Sequence, residues 1–331
     1  MFDKKIQDVK ATIGRIKLLL QERPFDTVYF VACGGSRETM YPGKYILERE
    51  TAKVTVDIYN ANEFVHAPPA KLSKNSVVVL NSYSGTTAET VAACKMAKEL
   101  GARTISFTMF PENPIGKYSD EVVFYEDEPS NPPPTFLTIF PGVYQVLFTI
   151  LDVLENKNLT PLITDALEQL DNIYAVERNK REDDFRDFAN KYYNEPIFYT
   201  TGAGMDYGMC YIFTVCILLE AQWIHSNAVH AGEFFHGPFE VVDENTPYFC
   251  LLGLDETRPL EERALEFLNR YSKKVIAIDA KNFDLSTIDE SIRKYIAPVI
   301  LNRVIQMYGE ELATRRAHPL QTRRYMGKTK Y

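Results

Sequence analysis

Three short stretches hold residue types that could do chemistry. "AGEFFHGPFE", Ala231 to Glu240, crowds Glu233, His236 and Glu240 around Gly237 and Pro238. A histidine in such a loop can exchange protons near neutral pH, with neighbouring carboxylates to orient it. "MCYIFTVCILLE" closes on Glu220, a carboxylate at the end of an apolar run and so placed to shuttle protons. "SYSGTT" carries Ser82, Ser84, Thr86 and Thr87 around Gly85, with no lysine. Neutral hydroxyls beside a glycine suit an oxyanion such as phosphate, above all where a helix starts.

Each stretch has a plainer explanation. Glu220 fits the polar stripe of a helix, and Glu233 and Glu240 fit surface pairs. His236 can be a loop histidine held by a neighbour, and His225 and His230 read as structural. A helix cap explains one hydroxyl of "SYSGTT" and leaves the others unexplained. Neither that loop nor Gly34-Gly35-Ser36 matches a nucleotide fingerprint. The five histidines show no HxH or HExxH spacing, so no metal is expected.

The elements that must position these residues alternate. "TVYFVACGGS" is a continuous apolar run ending in small residues, as a strand buried on both faces requires. "KVTVDIYN", "SVVVLNS", "RTISFTMF" and "EVVFYEDE" follow as further strands, and "AETVAACKMAKELGA" is a helix stopped at Gly101. "EPSNPPPT", Glu128 to Thr135, reads as a proline-rich loop before apolar helical text to about Leu154. A charged helical stretch then leads to a restart. "PIFYTTGAG" repeats the logic of the first strand, "DYGMCYIFTVCILLEAQWIH" is a long apolar helix, "PYFCLLGLDET" is a strand, and a helix and strand follow to Asp279. The expected fold is α/β: two similar parallel-sheet domains of flavodoxin-like three-layer form, made by internal duplication. The boundaries read as 1–155, a helical connection over 156–185, and 186–331.

Bulk properties narrow the function. The 331 residues are 45% hydrophobic and 25% charged, with net charge −8. No basic stripe is visible, which argues against nucleic acid as a partner. The N-terminal stretch breaks every apolar run with charge and reads as an amphipathic helix, neither signal peptide nor membrane span. Five scattered cysteines without CxxC spacing point to reduced thiols and a cytoplasmic location.

"CGGS", "NSYSGTTAET" and "LLEAQWIHSNAVHAGEFFHGP" together resemble the sugar isomerase (SIS) family, over about Phe25 to Tyr331. The similarity is to the double-domain branch that holds the isomerase half of glucosamine-6-phosphate synthase and the fructosamine 6-phosphate deglycases. "ACGGS", "ANEF", "LLGLDETRPLEERA" and "HPLQTRRYMGK" resemble the deglycases more closely, including those acting on fructoselysine 6-phosphate. The resemblance implies phosphate binding by Gly35, Ser36, Ser82, Tyr83, Ser84 and Thr87, with Tyr83 where the synthase has glutamine. It puts the catalytic glutamate on Glu220 and the ring-opening histidine on His236. Glu233 and Arg324 are possible supporting residues. The synthase has a lysine where this chain has Ile217, and Arg323, Arg324 and Lys328 are candidates for its C-terminal lysine. Chemistry with glutamine-derived ammonia is not expected.

The implied activity cleaves a 6-phosphorylated Amadori compound, with fructoselysine 6-phosphate the expected substrate, to glucose 6-phosphate and an amine, lysine or another amino acid, without cofactor or metal. The implied assembly is at least a homodimer, with His236 reaching a neighbour's site; the aromatic "AGEFFHGPF" loop agrees, since it would face water poorly. Rival readings are an aminosugar or aldose–ketose phosphate isomerase, and a non-catalytic sugar-phosphate sensor.

Overall fold

A computed structural model describes residues 2–127 and 131–330. Residues 128–130, which open the expected proline-rich loop, lie outside the described residues. The chain forms two compact units, one running to Asp171 and one from Asn172.

The first unit opens with the amphipathic helix Phe2–Gln21, which buries Val9, Ile13, Ile16 and Leu20 at helical spacing. Five parallel strands follow: β1 (Thr27–Ala32), β2 (Thr55–Asn60), β3 (Ser76–Asn81), β4 (Arg103–Thr108) and β5 (Glu121–Phe124). Their order in the sheet is β2-β1-β3-β4-β5. Every residue of β1, β3 and β4 is buried, because helices cover both faces. On one face Tyr29, Val31, Val78 and Leu80 pack with Phe64, Ala93 and Ala97, from the helices Ala61–His66 and Ala88–Glu99. On the other, Gly43 lets the helix Tyr41–Glu50 approach Phe30: a Cβ there would stand 2.8 Å from its ring.

The second unit repeats the plan with four parallel strands: β6 (Ile197–Gly202), β7 (His225–His230), β8 (Tyr248–Leu252) and β9 (Val275–Asp279). The order β7-β6-β8-β9 reproduces the first four positions of the first sheet, as duplication requires. The fold is therefore the expected two-domain α/β architecture.

Two elements differ from the sequence reading. The apolar helix expected from Asp206 is α-helical only over Asp206–Tyr211 and continues as a π-helix, Ile212–Ala221. The end of that expected helix, His225, and the text after it, to which the sequence reading assigns no element, form β7. "HSNAVH" lacks an apolar run because β7 is an edge strand with His225 and Asn227 exposed. No helix among the described residues is long and apolar enough to cross a membrane. None of the five cysteines is in a disulfide; Cys94, Cys210 and Cys250 are buried, and Cys33 and Cys216 are partly buried.

Candidate active site

In the first sheet the strand order reverses between β1 and β3, and the crevice at their carboxyl ends is where such sheets take ligands. Gly35 and Ser36 lie there, in the short helix Gly34–Glu38. Asn81, at the end of β3, donates to the Ser36 carbonyl (3.2 Å) and to Thr39 Oγ1 (3.0 Å), tying the two strand ends together. The hydroxyl loop follows. Ser82 and Thr87 pair through their hydroxyls at 3.0 Å, and Ser84 and Thr86 at 2.7 Å. Thr87 is the residue before the helix Ala88–Glu99, yet its side chain makes no capping bond. A hydroxyl pair uses only one of its two protons, so each pair keeps an O–H for a further acceptor. Gly85 makes the turn at φ +68°, with Asn113 packed where a Cβ would be. Tyr83 is exposed and meets Phe110 and Tyr125 edge-on. Ser36 thus lies just beyond the end of β1, and Ser82, Ser84 and Thr87 just beyond the end of β3.

The matching crevice of the second sheet, between β6 and β8, is filled from within. Glu261, 2% exposed, accepts from Ala203 N (2.8 Å) and Gly253 N (2.7 Å), the backbone just beyond those two strands. Asp206 packs against it, and a Cβ on Gly253 would stand 2.2 Å from Asp206 Oδ2. Burial, then the Glu261 and Asp255 charges, raises the Asp206 carboxyl well above its ordinary range; burial pushes Glu261 up to about 8. Both carboxyls therefore favour the protonated form more than a solvated carboxylate does, Glu261 with two backbone N–H groups to offset its burial. The sequence hid this cluster: Glu261 looks like the solvent side of an "EER" helix.

Glu220 lies in the penultimate position of the π-helix, and widened turns of this kind often mark functional sites. The turn beyond it is strained and braced. Trp223 has φ +57°, rare for a bulky residue. Gln222, fully buried, donates to the His318 carbonyl at 2.7 Å, and Trp223 meets the His318 ring edge-on at 4.6 Å. The C-terminal tail is thereby stapled to the turn. Arg323 Nη2 reaches Glu220 Oε1 at 2.6 Å, and the Arg324 guanidinium stacks 4.2 Å from the Trp223 ring centre. A cavity of about 570 Å³ opens here, walled by Leu219, Glu220 and residues 223–225 on one side and by 323–326 on the other. Of the three basic tail candidates, Arg323 is the one paired with Glu220; Lys328 turns back to the Arg323 carbonyl at 2.6 Å. Ile217 packs on Gly309, where a Cβ would meet its Cγ2 at 2.6 Å. Trp223 was missed by sequence reasoning; its signal, a lone tryptophan three residues past Glu220, was available.

His236 is exposed, and its side chain has no hydrogen-bond partner among the described residues; its backbone N–H donates to the Glu233 carbonyl at 2.9 Å. It is not among the walls of the Glu220 cavity. Glu233 and Glu240 are exposed as well. Glu233 instead acts electrostatically on His230, whose pKa is lowered by burial against that carboxylate's opposing pull. The phenylalanines of the loop turn inward: Phe234 is fully buried, and Phe235 and Phe239 pack on Phe267. They therefore make no case for a partner, contrary to the argument from the aromatic loop.

Comparison with known proteins agrees with this architecture. The SIS domain model matches residues 23–139. The chain is 45% identical over 314 residues to fructosamine deglycase FrlB of Bacillus subtilis, covering 94% of each protein. It is 27% identical to fructoselysine 6-phosphate deglycase of Escherichia coli O157:H7, over 92% of this chain and 87% of the relative. Among solved structures, a Bacillus subtilis protein named as a candidate phosphosugar isomerase superposes with TM-score 0.95 at 43% identity, covering 99% of this chain and all of the other. The chain belongs to the SIS-domain family, in the group that includes the Bacillus subtilis fructosamine deglycase.

Proposed function

We propose that the protein is a deglycase that cleaves a 6-phosphorylated Amadori compound to glucose 6-phosphate and a free amine or amino acid. The observation that carries this reading is the 45% identity, over 94% of the chain, to a protein named fructosamine deglycase. The local chemistry supports it. Gly35, Ser36, Ser82, Tyr83, Ser84 and Thr87 are assigned to the 6-phosphate, which anchors the open chain in reacting geometry. His236 assists opening of the cyclic sugar. Glu220 takes a proton from C1, and the electron pair forms an enaminol with C2. Reprotonation at C2 leaves an imine at C1, and water adds there to expel the amine. Arg323 supplies the counter-charge that holds Glu220 in place. Acid–base catalysis of this kind contributes about 10²–10⁴-fold. Domains over 1–155 and 186–331, a cytoplasmic location and a homodimer or larger assembly with His236 serving a neighbouring site belong to the same proposal.

The test incubates the protein with 6-phosphorylated adducts of several amines and assays glucose 6-phosphate and amine together. Equal release of both supports the deglycase. Interconversion of sugar phosphates without amine release would instead make the protein an isomerase.

A further inference from the structure

The cavity beside Glu220 carries an imbalance of charge that the proton transfer does not use. Its walls include one carboxylate, Glu220, and two guanidinium groups, Arg323 and Arg324. Arg323 is matched to Glu220 at 2.6 Å. Arg324 has no carboxylate partner among the described residues, although the chain as a whole carries net charge −8. Nor is Arg324 left to wander. Its guanidinium lies 4.2 Å from the Trp223 ring centre, and Trp223 is fixed by its own backbone turn and by His318. Stacking uses the face of a guanidinium and leaves its in-plane N–H groups free for a planar oxyanion.

We propose that this cavity is the subsite for the amine half of the substrate, and that Arg324 selects adducts of amino acids by binding their carboxylate. This rests on the deglycase reading. In such an adduct the nitrogen is bonded to C1, the carbon on which Glu220 acts. The carboxylate carbon of an α-amino acid lies two bonds beyond that nitrogen. A second carboxylate is therefore brought close to Glu220, and like charges at short range repel. Two guanidiniums for two carboxylates remove the conflict. Besides His225 and Tyr325, the remaining walls are Leu219, Trp223, Ile224 and Met326, whose apolar surface suits the aliphatic part of an amino acid.

The experiment compares two adducts that differ only in the carboxylate: 6-phosphofructosyl-glycine and 6-phosphofructosyl-methylamine. A charge-assisted bidentate contact predicts that the wild-type protein favours the glycine adduct in kcat/KM by about tenfold to a hundredfold. Arg324→Ala should bring that ratio close to one, through the KM of the glycine adduct. Arg324→Lys, which keeps the charge but not the fork, should retain part of it. A wild-type ratio near one overturns the subsite while leaving the deglycase standing. So does an Arg324→Ala variant that loses both adducts equally, since Arg324 would then serve the shared sugar half. Cleavage of neither adduct by the wild-type protein overturns the deglycase reading and the subsite with it.

Discussion

Gly85→Ala strikes the proposed phosphate loop at the position its geometry can least accommodate. Gly85 sits at φ +68°, and an L-residue pays roughly 1–2 kcal/mol to adopt that region. The new methyl would also stand 2.2 Å from Asn113 Cγ and 2.5 Å from Oδ1. Asn113 cannot swing aside without loss. It is 7% exposed, donates to Thr108 Oγ1 at 3.3 Å and to the Phe110 carbonyl, and accepts from Gly116 N at 3.0 Å. Overpacking of this kind costs about 1–3 kcal/mol. The two effects together reach about 2–5 kcal/mol, which must appear either as lost stability or as a loop that relaxes away from its hydroxyl geometry. Each 1.4 kcal/mol diverted from binding is about tenfold in affinity. The assay pairs urea denaturation with the KM for a phosphorylated adduct. At least one should move by that amount, with KM rising about tenfold or more if the loop relaxes. A variant with wild-type stability and wild-type KM would refute the argument.

Ser84→Ala should raise KM with little effect on folding, because the side chain is bonded only within the loop, to Thr86; equal use of phosphorylated and unphosphorylated adducts would contradict the phosphate assignment. Arg323→Ala should lower kcat about tenfold or more while costing at most about 1 kcal/mol of stability, since the pair it breaks is about a quarter exposed; unchanged turnover would remove Arg323 from the mechanism. His236→Ala should leave the melting temperature unchanged, as its side chain is exposed, and should harm a cyclic substrate more than an analogue that cannot cyclise; equal harm to both would contradict a ring-opening role. The raised carboxyls of Asp206 and Glu261 make stability depend on pH: the unfolded chain loses these protons above the ordinary carboxylate range and the folded chain keeps them longer, Glu261 towards about 8, so stability falls as pH rises through that window. Each raised carboxyl contributes at most about 1.4 kcal/mol per pH unit, and Asp206→Asn should lessen the slope in urea titrations from about pH 5 to 8; an unchanged slope would contradict a raised Asp206 carboxyl.

The strands of the first sheet were legible because burial on both faces leaves unbroken apolar runs, as in "TVYFVA" and "SVVVLN". The hydroxyl loop was legible for a local reason: all its donors fall within six consecutive residues. β7 was not, since an edge strand keeps polar residues such as His225 and Asn227. The π-helix was not either; an apolar run from Ile212 to Leu219 carries no stripe that would separate one helical period from another. Glu220 was singled out as a candidate, but its partner Arg323 lies about a hundred residues away, and only folding brings the tail to it. Asp206 and Glu261 were hidden for the opposite reason. Nothing in a single sequence distinguishes a buried carboxylate from a solvated one on a charged helix.

The central claim is that Glu220 moves the proton that leads to C–N cleavage. Its most direct test follows a 6-phosphofructosyl amino acid with wild-type protein and with Glu220→Gln, measuring glucose 6-phosphate and free amino acid side by side. The account predicts equal release of both by the wild type, and a fall in kcat of at least about a hundredfold in the variant with substrate binding retained. Near-normal turnover by Glu220→Gln would contradict it and return Glu220 to the role of a paired carboxylate at a helix end.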